Sequence, residues 1–74
     1  MTALELFALN LKKMRLELGL SQESLAELTD LHSTYISDVE CLRRNISLNN
    51  VQKIADALNT KVYKLFLEED SNNE

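Results

Sequence analysis

The sequence predicts an all-α protein, a compact bundle of five short helices. Two observations carry that reading. Apolar residues recur at spacings of three and four along most of the chain, which marks one face of a helix rather than a strand, and no segment alternates apolar and polar residues for long enough to pair in a sheet. The length sets the scale. Seventy-four residues allow one small domain, and a hydrophobic content of 45% is ample for a folded chain.

From Ala3 to Leu18, Phe7, Leu11, Met14 and Leu18 fall on one helical face, and Gly19 follows as a left-handed C-terminal cap. Ser21 reads as the N-cap of a second helix, Gln22 to Leu28, with Leu25 and Ala26 inward. Asp30, Leu31 and His32 form a turn. A third helix runs from Thr34 to about Cys41, burying Ile36 and Val39. Arg43, Arg44 and Asn45 make a polar break, and Ser47 caps a fourth helix whose inward set is Leu48, Val51, Ile54, Ala55 and Leu58. Asn59 ends it at a place glycine often fills, because Asn tolerates positive φ. The last short helix, about Val62 to Leu67, presents Val62, Leu65 and Phe66. Residues 1–66 are thus the expected domain and 67–74 an acidic, frayed tail.

Charge is segregated along the chain. The formal net charge is −4. Residues 17–40 hold Glu17, Glu23, Glu27, Asp30, Asp38 and Glu40 with no Lys or Arg, a balance of −6. Residues 41–66 hold Arg43, Arg44, Lys53, Lys61 and Lys64 against Asp56, a balance of +4. A single cysteine cannot staple the fold, which suits a reducing compartment. No apolar run approaches the ~20 residues of a membrane span, and the start lacks an export signal, so a cytoplasmic location is expected. The chain is short for an enzyme pocket. His32 and Cys41 have no metal-ligand spacing, no glycine-rich phosphate loop exists, and no nucleophile has an oriented base beside it. No catalysis, metal, cofactor or small-molecule effector is expected. His32 reads as the start of the third helix and Cys41 as a surface residue at its end.

Gln22 to Cys41 fits the helix-turn-helix template. Leu25 and Ile36 are its paired apolar residues, Val39 closes the same face, Ala26 is small where the helices cross, and Leu31 plugs the turn. Beyond the motif, L-G-L-S-Q-E-S-L-A (residues 18–26) and A-L-N-T-K-V-Y-K-L-F (57–66) make the chain resemble the phage-repressor-like, Xre-type DNA-binding domains over about residues 5 to 66. H-S-T-Y-I-S-D-V-E (32–40), followed by R-R-N-I-S-L-N-N (43–50), is similar to the controller proteins of restriction–modification systems, which are small homodimeric regulators. Three positions depart from the pattern. Asp30 stands where glycine is usual, Cys41-Leu42 where an Arg-Gly or Arg-Asn pair is common, and Ser33 where controllers often carry arginine. The first is tolerated at some cost in backbone energy; the others bear on affinity and on the bases recognised.

The resemblance implies site residues. In this fold the third helix enters the major groove, which makes Ser33, Thr34, Ser37 and Asp38 base readers: hydroxyls pair with several bases, the Thr34 methyl meets a thymine methyl, and Asp38 accepts from a cytosine amino group. As bare residues these four equally describe the solvated face of an amphipathic helix. Gln22 at a helix N-terminus, Tyr35, Arg43, Arg44, Asn45, Asn49 and Asn50 are the expected backbone contacts. Arg15 and Glu40 match a structural ion pair of the family. Glu23 and Glu27, one turn apart, stand where phage-type activators touch the σ subunit of RNA polymerase, although exposed Glu is also ordinary helix filler. Val62, Tyr63, Leu65, Phe66 and Leu67, with the edge of the fourth helix, form the expected dimer seam, with plain core packing as the alternative for each.

The expected function is therefore a transcriptional regulator that binds a pseudo-palindromic operator as a homodimer and activates or represses. A phage-type repressor or antitoxin-like regulator is the near alternative. The rival class is a protein-interaction module that has kept the fold and lost DNA, and the acidic window over residues 17–40 is its support, since DNA binders of this size usually carry a basic face.

Overall fold

The computed structural model describes residues 1–68. It holds four α-helices, α1 (Ala3–Glu17), α2 (Gln22–Thr29), α3 (Ser33–Glu40) and α4 (Leu48–Ala57), followed by a 3-10 helix, Val62–Phe66. There is no strand among the described residues. The all-helical expectation holds, and the count of five α-helices is corrected to four plus a 3-10 turn. The last segment is too short to sustain an α ladder. Its carbonyl at Leu65, and that of Leu67 just beyond it, accept from Asn10 Nδ2 at 2.9 Å each instead of from a further turn of helix. Of the acidic tail, Glu69, Asp70 and Glu74 lie outside the described residues.

Side-chain hydroxyls start three of the helices. Thr2, Ser21 and Ser47 accept from the backbone N–H groups of Glu5, Ser24 and Asn50 at 3.1, 2.9 and 3.1 Å, satisfying donors the helix itself leaves open. At α1 the cap is reciprocal: Glu5 Oε1 accepts from the Thr2 N–H at 2.7 Å, a capping box. His32 caps α3 without a side-chain hydrogen bond.

The helix ends share one device. After each α-helix a residue adopts positive φ, namely Gly19 (71°), Asp30 (60°), Leu42 (62°) and Asn59 (56°). The next N–H then reaches back to a carbonyl in the last turn: Leu20 to Arg15, Leu31 to Ala26, Arg43 to Asp38 and Thr60 to Ala55, at 2.8–3.1 Å. This is the six-to-one closure of a Schellman motif. It lets the chain reverse tightly with a single glycine, at a cost in backbone energy that is largest for Leu42, whose side chain makes no local hydrogen bond to offset it.

The core is one cluster of Phe7, Leu11, Leu25, Ala26, Ile36, Val39, Val51, Ile54, Ala55, Leu58 and Leu65, drawn from every element. Two apolar residues expected inside are not. Leu48 is 84% exposed, because it opens α4 directly after its cap, one turn short of the first core position at Val51. Leu18 is also exposed, because α1 ends at Glu17 and the reversal at Gly19 brings Leu20, not Leu18, against the core. Thr29 extends α2 one residue past the expected Leu28, with its buried hydroxyl donating to the Leu25 and Ala26 carbonyls.

Candidate nucleic-acid interface

Two helices build the face on which the expected reading residues stand. Leu25 and Ile36, both completely buried, lock α2 against α3, with Ala26 allowing the close crossing. That packing leaves a shallow cleft between the N-terminal ends of α2 and α3, lined by Ser21, Gln22, Ser33, Thr34, Ser37 and Asp38 and bordered by Glu23 and Arg43. The four expected base readers thus share one wall with the start of α2. Ser33, Thr34 and Ser37 make no side-chain hydrogen bond to any described residue, so their hydroxyls remain available to a ligand.

Other members of the expected set are engaged within the protein. Arg15 Nε and Nη2 donate to Glu40 Oε2 and Oε1 at 2.7 and 3.1 Å, and Arg15 Nη1 donates to the Leu20 carbonyl at 2.7 Å. The two side chains are only 8% and 3% exposed. Gln22 Nε2 donates to Glu40 Oε1 at 3.0 Å, so the Gln22 amide completes this network from the second helix. A buried carboxylate must have its oxygens satisfied, and here α1 and α2 both supply donors to the last residue of α3. The network therefore fixes how α3 is presented relative to the N-terminus of α2.

Beyond α3 a second network forms. Arg43 Nε lies 3.5 Å from Asp38 Oδ1 and Arg44 Nε 3.9 Å from Asp38 Oδ2. The Arg44 guanidinium also sits 5.2 Å from the centroid of the Tyr35 ring, within cation–π range. Asn50 Nδ2 donates to the Tyr35 hydroxyl at 3.0 Å, tying the start of α4 to α3. Asn45 and Asn49 are exposed on the same connection. Arg43 stands at the rim of the cleft, and the pairing of Arg43 and Arg44 with Asp38 offsets part of the −6 of the window. Glu23 and Glu27 are exposed on α2 and border a separate depression with Asp30, Leu31 and His32.

The five seam residues divide. Leu65 has no exposed surface and belongs to the core, which corrects its assignment to the seam. Phe66 is half-buried, its ring centroid 5.5 Å from that of Phe7, and Val62 is half-buried too. Tyr63 and Leu67 are exposed. Tyr63, Val62, Lys61 and Lys64 line a groove with Gln52 and Asp56 of α4.

Sequence reasoning missed Asn10, which is buried in α1 and holds the 3-10 helix through two carbonyls; a polar residue between Phe7 and Leu11 on an inward face was the available signal. The Thr2–Glu5 capping box was also missed, though T-x-x-E before an apolar run is its signature. Among the described residues no group of three or more His, Cys, Asp or Glu could hold a metal, and no helix is long and apolar enough to cross a membrane.

Comparison with known proteins agrees with this geometry. The helix-turn-helix family matches residues 11–65. The control protein C.SmaI of Serratia marcescens is 44% identical over 70 residues, covering 95% of this chain and 83% of that protein. Among solved structures, the restriction–modification controller protein C.AhdI from Aeromonas hydrophila superposes with a TM-score of 0.82 at 43% identity, covering 85% of this chain and 96% of its own. The hypothetical transcription factor NHTF from Neisseria gives 0.86 at 41% identity, covering 89% and 76%. The chain belongs to the helix-turn-helix family, as a homologue of the restriction–modification controller proteins.

Proposed function

We propose that this protein is the controller of a restriction–modification system, a cytoplasmic regulator that binds a pseudo-palindromic operator as a homodimer through residues 1–66. The observation that carries the reading is the cleft in which Ser33, Thr34 and Ser37 keep unspent hydroxyls beside the N-terminus of α2. Base edges are read by such short polar groups on a helix that fits the major groove. Arg43, Arg44, Asn45 and Asn49 flank the helix as backbone contacts, which position without reading. Gln22 contributes its N-terminal N–H and dipole to a phosphate while its amide stays on Glu40. One protomer reads one half-site, and two half-sites one helical turn apart require a second copy. Tyr63, Leu67 and the half-buried Phe66 and Val62 are the seam that joins them. Bound at one site the dimer recruits polymerase, with Glu23 and Glu27 as its contact to the σ subunit; at an adjoining site it blocks transcription.

The experiment is a binding titration at several salt concentrations. Thr34→Ala and Ser37→Ala should change the preference at one or two base pairs by ~1–3 kcal/mol and leave the salt slope nearly untouched. Arg43→Gln or Arg44→Gln should weaken all DNA alike and lower the slope by about one unit per lost contact. If Thr34 and Ser37 substitutions change neither affinity nor preference, α3 is not the reading element. Failure of the protein to bind any duplex at ~50 mM salt would favour the protein-interaction module. The polymerase contact is tested separately: Glu23→Lys with Glu27→Lys should abolish reporter activation while DNA binding survives.

A further inference from the structure

Asp38 occupies an unfavourable place for an acid if phosphates approach. Its side chain keeps 25% of its exposure, and it lines the cleft with Ser33, Thr34 and Ser37. Each of its carboxylate oxygens faces a different guanidinium, Oδ1 that of Arg43 at 3.5 Å and Oδ2 that of Arg44 at 3.9 Å. These separations exceed those of charge-assisted hydrogen bonds, about 2.7–2.9 Å, and both arginines are more than half exposed. The pairs are loose and readily exchanged. Arg44 has a second resting contact over the Tyr35 ring, and the ring is held by Asn50. The cations nearest the cleft are thus shared between an internal carboxylate and whatever anion arrives from outside.

Resting on the DNA-binding reading above, we propose that Asp38 sets specificity as an internal counter-ion: backbone phosphates must take Arg43 and Arg44 away from it, and only a base-edge amino group in the cleft compensates the carboxylate left behind. On non-cognate DNA the exchange leaves Asp38 unpaired near phosphates, and binding is weakened. On a cognate site a cytosine amino group, the donor a carboxylate accepts from in the major groove, restores its partner. The same residue that lowers affinity for arbitrary sequence is neutral or favourable on the right one. This widens the gap between specific and non-specific binding, which decides occupancy when competing sites are abundant.

The test compares wild type, Asp38→Asn and Asp38→Ser on two duplexes: the best sequence that the wild-type protein selects from a randomised pool, and a scrambled version of it. Each is titrated at several salt concentrations, in the native background and in Arg43→Gln/Arg44→Gln. Asp38→Asn should tighten binding to the scrambled duplex about threefold per protomer, roughly tenfold for a dimer, the scale of two loose surface pairs. Binding to the selected duplex should be unchanged or weaker, so the ratio between the two falls by at least as much. Selection repeated with Asp38→Asn should lose a cytosine preference in each half-site. Without the two arginines the gain on scrambled DNA should shrink to less than half. Asp38→Ser, which removes the charge with a smaller side chain, should reproduce the pattern. Equal tightening on both duplexes, no change on the scrambled one, or the full gain without the arginines would each overturn the proposal. Wild-type protein that binds neither duplex would instead remove the DNA-binding reading, which is a separate result.

Discussion

Replacing Arg15 by Met should remove a large share of the stability of this fold. The substitution deletes three donors. Two of them, at 2.7 and 3.1 Å, serve a carboxylate that is 3% exposed, and the third holds the Leu20 carbonyl at 2.7 Å. Glu40 would keep only the Gln22 amide at 3.0 Å. Removing one member of a buried pair costs about 3–5 kcal/mol, because the remaining charge stays desolvated. A chain of this size holds about 4–11 kcal/mol in total, at ~0.05–0.15 kcal/mol per residue. The melting temperature should therefore fall by about 15–30 °C, and Glu40→Leu should fall comparably. The double variant Arg15→Met/Glu40→Leu leaves no buried charge, so its loss should be well under the sum of the single losses. Urea unfolding followed by far-UV circular dichroism, at one protein concentration because the proposed dimer would contribute to stability, measures all four corners of the cycle. Single losses below about 1 kcal/mol, the range of exposed pairs, would refute the buried-network account, and so would strict additivity in the double variant.

Four further outcomes are expected. The Thr2 backbone N–H, with its hydroxyl, holds the Glu5 pKa below the ordinary glutamate value, so the carboxylate's stabilisation of α1 is complete above that ordinary value and is lost as pH falls through the lowered one; the stability difference between wild type and Glu5→Gln, followed by urea unfolding against pH, should vanish at the acid end. Leu65→Ala should cost about 2–5 kcal/mol of stability as a core truncation, whereas Tyr63→Ala should leave the protomer's stability nearly unchanged and weaken self-association, read by melting and by sedimentation respectively. Leu42→Asn should raise stability by up to ~1 kcal/mol in thermal melts, since Asn adopts positive φ more easily than Leu. Asn10→Ala should cost about 1–3 kcal/mol for two carbonyls left without their donor, with amide exchange accelerating first across residues 62–67.

Most of the fold was legible because helices declare themselves locally. The spacing of Phe7, Leu11, Leu25, Ile36, Val51, Ile54 and Leu58 identifies inward faces, and all seven are buried. Gly19, Asp30 and Asn59 were each singled out as chain-reversal positions, and all three have positive φ, as Leu42 also does. The misplacements, Leu18 and Leu48, share a cause. Periodicity says which way a side chain points, but it cannot say where along the axis the opposing core begins and ends. Both residues continue a correct face beyond the point where anything packs against it. The 3-10 helix was read as α for a related reason: its geometry is decided by Asn10, more than fifty residues earlier in the chain.

The candidate site was legible to a lesser depth, and the limit is physical. Residue type and helical position place Gln22, Asp38, Arg43, Arg44, Tyr35 and Asn50 near one face, but each of these side chains has a second chemistry available inside the protein. Gln22 spends its amide on Glu40, across 18 residues. Asn50 spends its own on Tyr35, across 15. These choices depend on how helices cross, which no local pattern encodes. They also change what the residues do. A glutamine fixed to Glu40 holds its helix N-terminus in register with α3, so in the proposed reading a phosphate would meet a preset backbone donor and less freedom would be lost on binding. An arginine shared with Asp38 is not a free cation, so under the proposed exchange phosphate contact there would carry a cost that only the correct base edge relieves. In the proposed DNA-binding reading, the buried Arg15–Glu40–Gln22 network supplies geometry and the exposed Asp38–Arg43–Arg44 network supplies discrimination. The difference follows from burial, since 2.7 Å contacts away from water hold a position, while 3.5 and 3.9 Å contacts at the surface can be exchanged.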